Sequence, residues 1–565
     1  MSRTRIVKGT YTKISAGGHS MFAKESIISS AGKMITEKGD DSGLLYTKPK
    51  TPAKTERIID IIMFVAGTTD PVNTTGEKHQ ANTNYWRNKN KKDQDSKVNF
   101  WAKVKDLKPQ YLDLHIEGSF FSWSGDNNTE ERNIAAARLL DLFLRVYKFW
   151  KNQEVNLHLI GHSHGGNVIN QFTELIAKDA KYPKTWKVKS ITYLSTPFFQ
   201  KKHQLNHSKL HSKCKIINVY NEYDLTQQLI ADFSLVNLEG LLKSFEMKKF
   251  DKGIATMKSV EADLITSYLK GWYSEKKAIL AWREMSKTFL GLNQITVEVI
   301  SYIQTIKPNN AGLQKEKNTF IALLKSFQTW TANVHGNYAT SGANKKYDKI
   351  TWTKNLNLTQ GITVLNTLFH IESGVKDSYL LTLLAKIFAE KNGITDSIDK
   401  TSWSPDKQTK GLSIIPVKIT EKDPYHSRGK LAICKGFIKG AAIASQNNNL
   451  EEVLMRLFSQ FVTPASLVTI INGLNAAEYV VTGNLDTQVK RLGRNIIVYQ
   501  RLVNQFHADL VAEKDKSIKL MQRPGTIPYL ATSSHSLSHT QFWPKVETGL
   551  KEAFGSGKNL GYKKK

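Results

Sequence analysis

Apolar positions recur along the chain with two different periods. From Arg57 to Val65 the sequence RIIDIIMFV is a β-branched apolar run of strand length. His115–Trp123, Val155–Ile160, Val188–Pro197 and Lys213–Tyr220 read as further strands. Between them, Glu130–Trp150 carries apolar side chains at helical spacing (Ile134, Ala137, Leu140, Phe143, Leu144, Tyr147), and Asn167–Ala180 reads as a second helix. Strands alternating with helices predict an α/β fold with a mostly parallel sheet covered on both faces. From about Phe233 to Phe506 the period changes. Leu241–Phe250, Ala278–Leu292, Asn318–Phe327 and Leu450–Val462 place apolar residues at i, i+3, i+4 and i+7, with one possible β-containing piece at Gly411–Ile419.

The remaining stretches are polar. The first fifty residues are rich in Gly, Ser, Thr and Lys, read as short strands and turns, and end in the linker-like KPKTPAK, Lys48–Lys54. The charged segment Glu77–Lys105 reads as a long solvated loop, and the Gly/Lys-rich tail after Gly555 as loose chain. The expected organisation is a leader or docking region at 1–55, a core at 56–232, a large, mainly helical insertion at 233–506, and completion of the core at 507–565.

Charge and composition add constraints. A formal net charge of +30 makes a surface that attracts polyanions such as nucleic acid, anionic lipid headgroups or an acidic protein. The Lys and Arg residues are spread widely and no recognition motif interleaves them with aromatics, so a nucleic-acid partner is not expected. Two cysteines, Cys214 and Cys434, exclude a disulfide framework and point to synthesis in a reducing cytoplasm. Met1–Thr10 has no apolar stretch of the kind a secretory signal needs, and no spanning helix is expected, so membrane contact would be peripheral. There is no P-loop, no dinucleotide-binding glycine pattern in a βαβ setting and no metal-spaced cluster, and no cofactor is expected.

The chemistry concentrates at Gly161-His162-Ser163-His164-Gly165-Gly166. This G-x-S-x-G directly follows a strand and directly precedes a helix, as a nucleophile elbow requires. The turn would lift the Ser163 hydroxyl above the strand end. The amide of His164 would lie at a helix N-terminus, where partial positive charge stabilises an oxyanion.

On these residues the chain resembles the α/β-hydrolase family, and its lipase branch in particular, over roughly residues 57–225 and the last few dozen residues. The resemblance implies an acid after the second strand beyond the nucleophile strand, then a histidine near the C-terminus. Asp224 takes the acid position, with Glu222 as runner-up. Of the six histidines after Asp224, His535 and His539 precede a final amphipathic helix; His535 is preferred and His539 is the alternative. Ala66-Gly67-Thr68-Thr69 is similar to the oxyanion loop of lipases, with Thr68 or Thr69 as second donor. Phe198 and Phe199, in a stretch resembling the S-T-P turn of that branch, are either acyl-chain contacts or ordinary core or interface residues. The helical insertion is either a lid or a structural subdomain.

The Gly/Ser/Lys-rich stretch Val7–Tyr46 resembles the leader of effectors delivered by contractile type VI secretion machines in Bacteroidota. The implied function is a lipase or phospholipase acting on lipid acyl esters at a membrane surface, made in the cytoplasm and delivered into a target cell. The implied partners are a secretion spike or tube protein and an immunity protein. Alternatives are a non-lipid esterase or amidase of the same fold, and a basic nucleic-acid- or scaffold-binding protein without catalysis.

Overall fold

The computed structural model describes residues 35–37, 57–67, 100–117, 121–125, 129–199, 202–230, 248–269, 275–344, 356–390 and 412–562, apart from 307, 309, 357, 373, 448, 460, 461, 463, 478–482 and 519–521. The chain divides into two compact units, residues 1–57 and 58–565. The leader expected at 1–55 lies outside the described residues except for 35–37.

Among the described residues, the second unit is built on one six-stranded sheet. Its strands are β1 (Ile58–Val65), β2 (Leu114–Ile116), β3 (Glu154–His162), β4 (Trp186–Leu194), β5 (Leu210–Tyr220) and β6 (Ser413–Lys418). Their order is β2-β1-β3-β4-β5-β6, and every neighbouring pair is parallel. Central strands of a parallel sheet are covered on both faces, so they read as nearly continuous apolar runs. β1 follows this rule, with every residue after Ile58 buried.

Alternate side chains feed two cores. On one face Ile59, Ile61, Met63, Val65, Leu157 and Leu159 pack under helices α2 (Thr129–Val146) and α3 (Gly165–Lys178). On the other, Ile62, Phe64, Ile160, Ile217 and Val219 meet α1 (Phe100–Lys105) and the C-terminal helix Pro544–Ala553. A third core is helical. It is dominated by two long helices, Glu275–Thr305 and Ala311–Asn344, and is continuous with Tyr223, Leu225, Tyr529, Leu530 and Ala531. The helical region is therefore packed onto the loops that carry Asp224 and His535.

Three expectations need correction. The β-containing piece expected at Gly411–Ile419 forms as Ser413–Lys418, but it does not belong to a separate insertion: it pairs with β5 (Ile216 opposite Ile414, Val219 opposite Val417) at the edge of the sheet among the described residues. An edge strand tolerates Pro416. The end of the charged loop Glu77–Lys105 is helical, with Phe100 and Trp101 buried against the sheet, while residues 77–99 lie outside the described residues. The tail is not loose at its start, because Lys558 forms a β-bridge with Tyr111 and the amides of Gly555 and Ser556 bind Asp60.

Asp60 is the one charged residue of β1, and it is fully buried. Its carboxylate accepts from His158 Nε2 (3.0 Å), Asn156 Nδ2 (3.2 Å), Gly555 N (3.0 Å) and Ser556 N (2.7 Å). His158 Nδ1 in turn pairs with Ser190 Oγ at 2.8 Å. These are the side-chain types of a catalytic triad, yet Asp60, His158 and Ser190 are all 0% exposed, so the set cross-links three strands and the tail. Burial pushes the Asp60 carboxyl up, but the hydrogen bond and charge of His158 and the bonds from Ser556 outweigh it and hold it at about 2, against an ordinary 3.8.

This has a consequence for stability. A carboxyl depressed in the folded state contributes stability that is present above 3.8 and is lost as pH falls through about 2. His203 acts with the same sign: burial, then the charges of Arg132 and Lys202, push it from 6.5 to about 3, so its contribution is complete above 6.5 and declines as pH falls toward 3. The thermal midpoint should therefore rise with pH across this acid range. Asp60→Asn should cost about 3 kcal/mol at neutral pH and flatten the lower part of the profile. A variant with the wild-type midpoint and the wild-type acid profile would contradict this assignment.

Candidate active site

The site sits at the C-terminal ends of β3, β4 and β5. Ser163 joins β3 to α3 with φ of 51°, a left-handed conformation that non-glycine residues rarely adopt. Its backbone is clamped on both sides: Ser163 N donates to Leu194 O (2.9 Å), and Gly166 N donates to Ser163 O (3.1 Å). The flanking glycines are required by contact distance. A Cβ on Gly161 would lie 2.5 Å from Gly166 N, and one on Gly165 would lie 2.3 Å from Val65 O. The second distance also places the end of β1, and hence the start of the Ala66–Gly67 loop, against the elbow. Thr68 and Thr69 lie outside the described residues.

His164 opens α3 and is fully buried. Its ring is fixed by Asn167, whose Nδ2 lies 3.0 Å from His164 Nδ1 and also donates to Pro197 O at 2.7 Å. Phe199 stacks on the same ring with centroids 5.7 Å apart. Phe199 is buried and carries the Arg132 guanidinium over its face at 5.0 Å. Phe198 is half-buried, edge-on to Tyr193. Of the two phenylalanines, Phe199 is therefore the one in contact with the elbow.

Asp224 follows β5 and is fully buried. Gln227 N donates to its Oδ1 at 2.8 Å. His535 Nδ1 lies 3.0 Å and 2.9 Å from the two carboxylate oxygens. With Nδ1–H donating to Asp224, Nε2 is the ring nitrogen left to accept a proton. Glu222 is engaged elsewhere, in ion pairs with Lys418 (2.6 Å) and Lys435 (2.5 Å). Burial works against its charge, but these lysines hold its carboxyl below the usual range. The structure thus brings Asp224, not Glu222, to a histidine.

The two histidines are also separated. The His535 ring lies 4.9 Å from that of His162, the residue before Ser163, and contacts Asp224, whereas the His539 ring packs edge-on against the same His162 ring with centroids 4.3 Å apart. The His535 segment is held by several bonds: Thr226 Oγ1 to Ala531 O (2.8 Å), Asn221 Nδ2 to Ser534 O (3.1 Å) and Trp543 Nε1 to Ser538 O (2.8 Å). No hydrogen bond joins the Ser163 hydroxyl to His535 among the described residues. Ser163 is 3% exposed and His535 8%, and serine–histidine contacts often tighten only with substrate.

Sequence reasoning missed Asn221, Gln227 and Asp423. Asn221 and Gln227 flank the acid, and Asp423 follows β6 in an Asp-Pro turn; that turn was the only local sign. Among the described residues no group of three or more His, Cys, Asp or Glu is arranged to hold a metal ion, and no helix is long and apolar enough to cross a membrane. Burial pushes the thiols of Cys214 and Cys434 up to about 12, so neither is poised as a nucleophile. No family model, no curated protein and no solved structure matches the chain.

Proposed function

We propose that the chain is a serine hydrolase with an α/β-hydrolase core that cleaves lipid acyl esters. The observation that carries this reading is the buried Asp224–His535 pair, whose imidazole lies 4.9 Å from the ring of His162, next in sequence to a serine held at φ of 51° between a parallel strand and a helix. Strain of that kind persists only where the surroundings over-determine it, and it is concentrated at functional sites. The chain order Ser163, Asp224, His535 agrees with the family order.

In this reading Ser163 Oγ attacks the ester carbonyl while His535 Nε2 takes its proton. Asp224 keeps the imidazole in one tautomer and stabilises the imidazolium. The tetrahedral oxyanion is held by the amide of His164 and by one from Thr68 or Thr69. His535 returns the proton to the leaving alcohol, and water repeats the sequence on the acyl-enzyme.

Lipid as substrate is supported by the net charge of +30, since basic residues near an anionic bilayer contribute about 1 kcal/mol each. Delivery into a target cell by a type VI-like apparatus, with a spike or tube carrier and an immunity protein in the producer, is proposed from the resemblance of the leader. The substrate reading is tested by comparing a short-chain p-nitrophenyl ester, anionic phospholipid vesicles and a peptide amide. Ser163-dependent release of fatty acid from the vesicles is expected. Cleavage of the soluble ester with intact vesicles would leave a non-lipid esterase, and cleavage of the amide alone would make it an amidase.

A further inference from the structure

We propose that Asp423 is a positioning residue that holds the acid loop and the histidine loop in register. This rests on the assignment of Asp224 and His535 above. Asp423 is 2% exposed and stands in the turn after β6, 202 residues from Asn221 and 106 from Tyr529. Its Oδ2 accepts from Asn221 Nδ2 at 2.7 Å, and its Oδ1 accepts from Tyr425 N at 2.8 Å and the Tyr529 hydroxyl at 3.3 Å. One carboxylate therefore ties together the loop of Asp224, the turn after β6 and the segment leading to His535.

Asn221 completes the link. The same Nδ2 that donates to Asp423 also donates to Ser534 O, on the residue before His535, at 3.1 Å. Asn221 Oδ1 accepts from Tyr223 N, one residue before Asp224, at 3.1 Å. Flipping the amide would break all three bonds, so its orientation is fixed by its partners. The neighbouring contacts run the same way: Glu222 N donates to Thr420 Oγ1 (3.1 Å), and Tyr223 pairs with His426 (3.2 Å).

All three partners of Asp423 are donors. A carboxylate satisfies them, whereas an amide of the same shape must turn an NH2 group toward another donor. Asp423→Asn is therefore a near-isosteric change that sets the two loops against each other. Nothing in the contacts places Asp423 on the substrate. Its loss should lower kcat with little change in KM, since a displacement of about 1 Å at a catalytic group costs up to about 100-fold in rate.

The test uses the full chain. Wild type and Asp423→Asn are compared for kcat and KM on a short-chain p-nitrophenyl ester, with active sites counted by fluorophosphonate labelling. Hydrogen exchange of peptides covering residues 526–540 reads loop docking without reference to catalysis. The expected result is a 10- to 100-fold fall in kcat per folded molecule, KM within about twofold, and faster exchange in that segment. Unchanged kcat and unchanged exchange overturn the proposal, as does a variant that is merely less heat-stable with wild-type kcat per molecule. If Asp423→Asn does not fold, Tyr529→Phe removes one donor and keeps the ring. It should speed exchange in the same segment and lower kcat by about threefold, and no change in either overturns the proposal. A wild type that is not labelled at Ser163 refutes the hydrolase reading and with it the catalytic meaning of Asp423, while the exchange comparison still reports whether the carboxylate docks the loop.

Discussion

Ser163→Ala is expected to lower ester turnover by about five orders of magnitude while leaving the fold intact. The size follows from the role. A nucleophile cannot be replaced by its neighbours, and what remains is catalysis from the oxyanion donors and binding alone. The intact fold follows from the contacts: Ser163 is held through its backbone N and O, and alanine keeps both bonds. Alanine also carries the same Cβ at φ of 51°, so the strain is unchanged. The comparison is kcat on a p-nitrophenyl ester against the thermal midpoint of the same preparation. Retained turnover, or a loss explained by unfolding, would remove Ser163 from its role.

His535→Ala and His539→Ala are expected to differ by several orders of magnitude in kcat. His535 pairs with Asp224 through two contacts of 3.0 Å and 2.9 Å. Its removal takes away the proposed general base and leaves Asp224 buried without its imidazole donor, so a loss of about 10⁴-fold or more is expected. His539 is 3% exposed and packs edge-on against His162 at 4.3 Å. Its removal opens a cavity and should cost about 2 kcal/mol of stability, with kcat per folded molecule within about fivefold of wild type. Site-titrated kcat for both variants decides between the two histidines. Collapse in His539→Ala with a mild effect in His535→Ala would exchange their roles.

The strands of the centre were legible because burial on both faces leaves long β-branched runs, as in Ile58–Val65. The elbow was legible because its glycines are forced by contacts of 2.5 Å and 2.3 Å to backbone atoms. β6 was only half legible: it is six residues long, contains Pro416 and lies at an edge, and only Val417 of it is buried. Phe100 and Trp101 were hidden by the lysine-rich sequence around them, although the two rings are buried.

The polar interior was the least legible part. In β1 and β3, Asp60 and His158 look like ordinary outward positions of a strand, and only the tail returning as Gly555 and Ser556 explains why they are buried. Asp423 meets partners 202 and 106 residues away, so no window of sequence contains the reason for it. The choice between His535 and His539 was of the same kind. Four residues apart in one segment, they are told apart by a carboxylate 311 residues from His535.

Mapping the site of fluorophosphonate attachment by mass spectrometry shows whether Ser163 is an activated nucleophile. The adduct is expected on Ser163, in the tryptic peptide spanning residues 152–178 of the folded wild-type chain, and it should be lost or greatly slowed in His535→Ala. An adduct on any other residue, or none on a folded chain, would contradict the account.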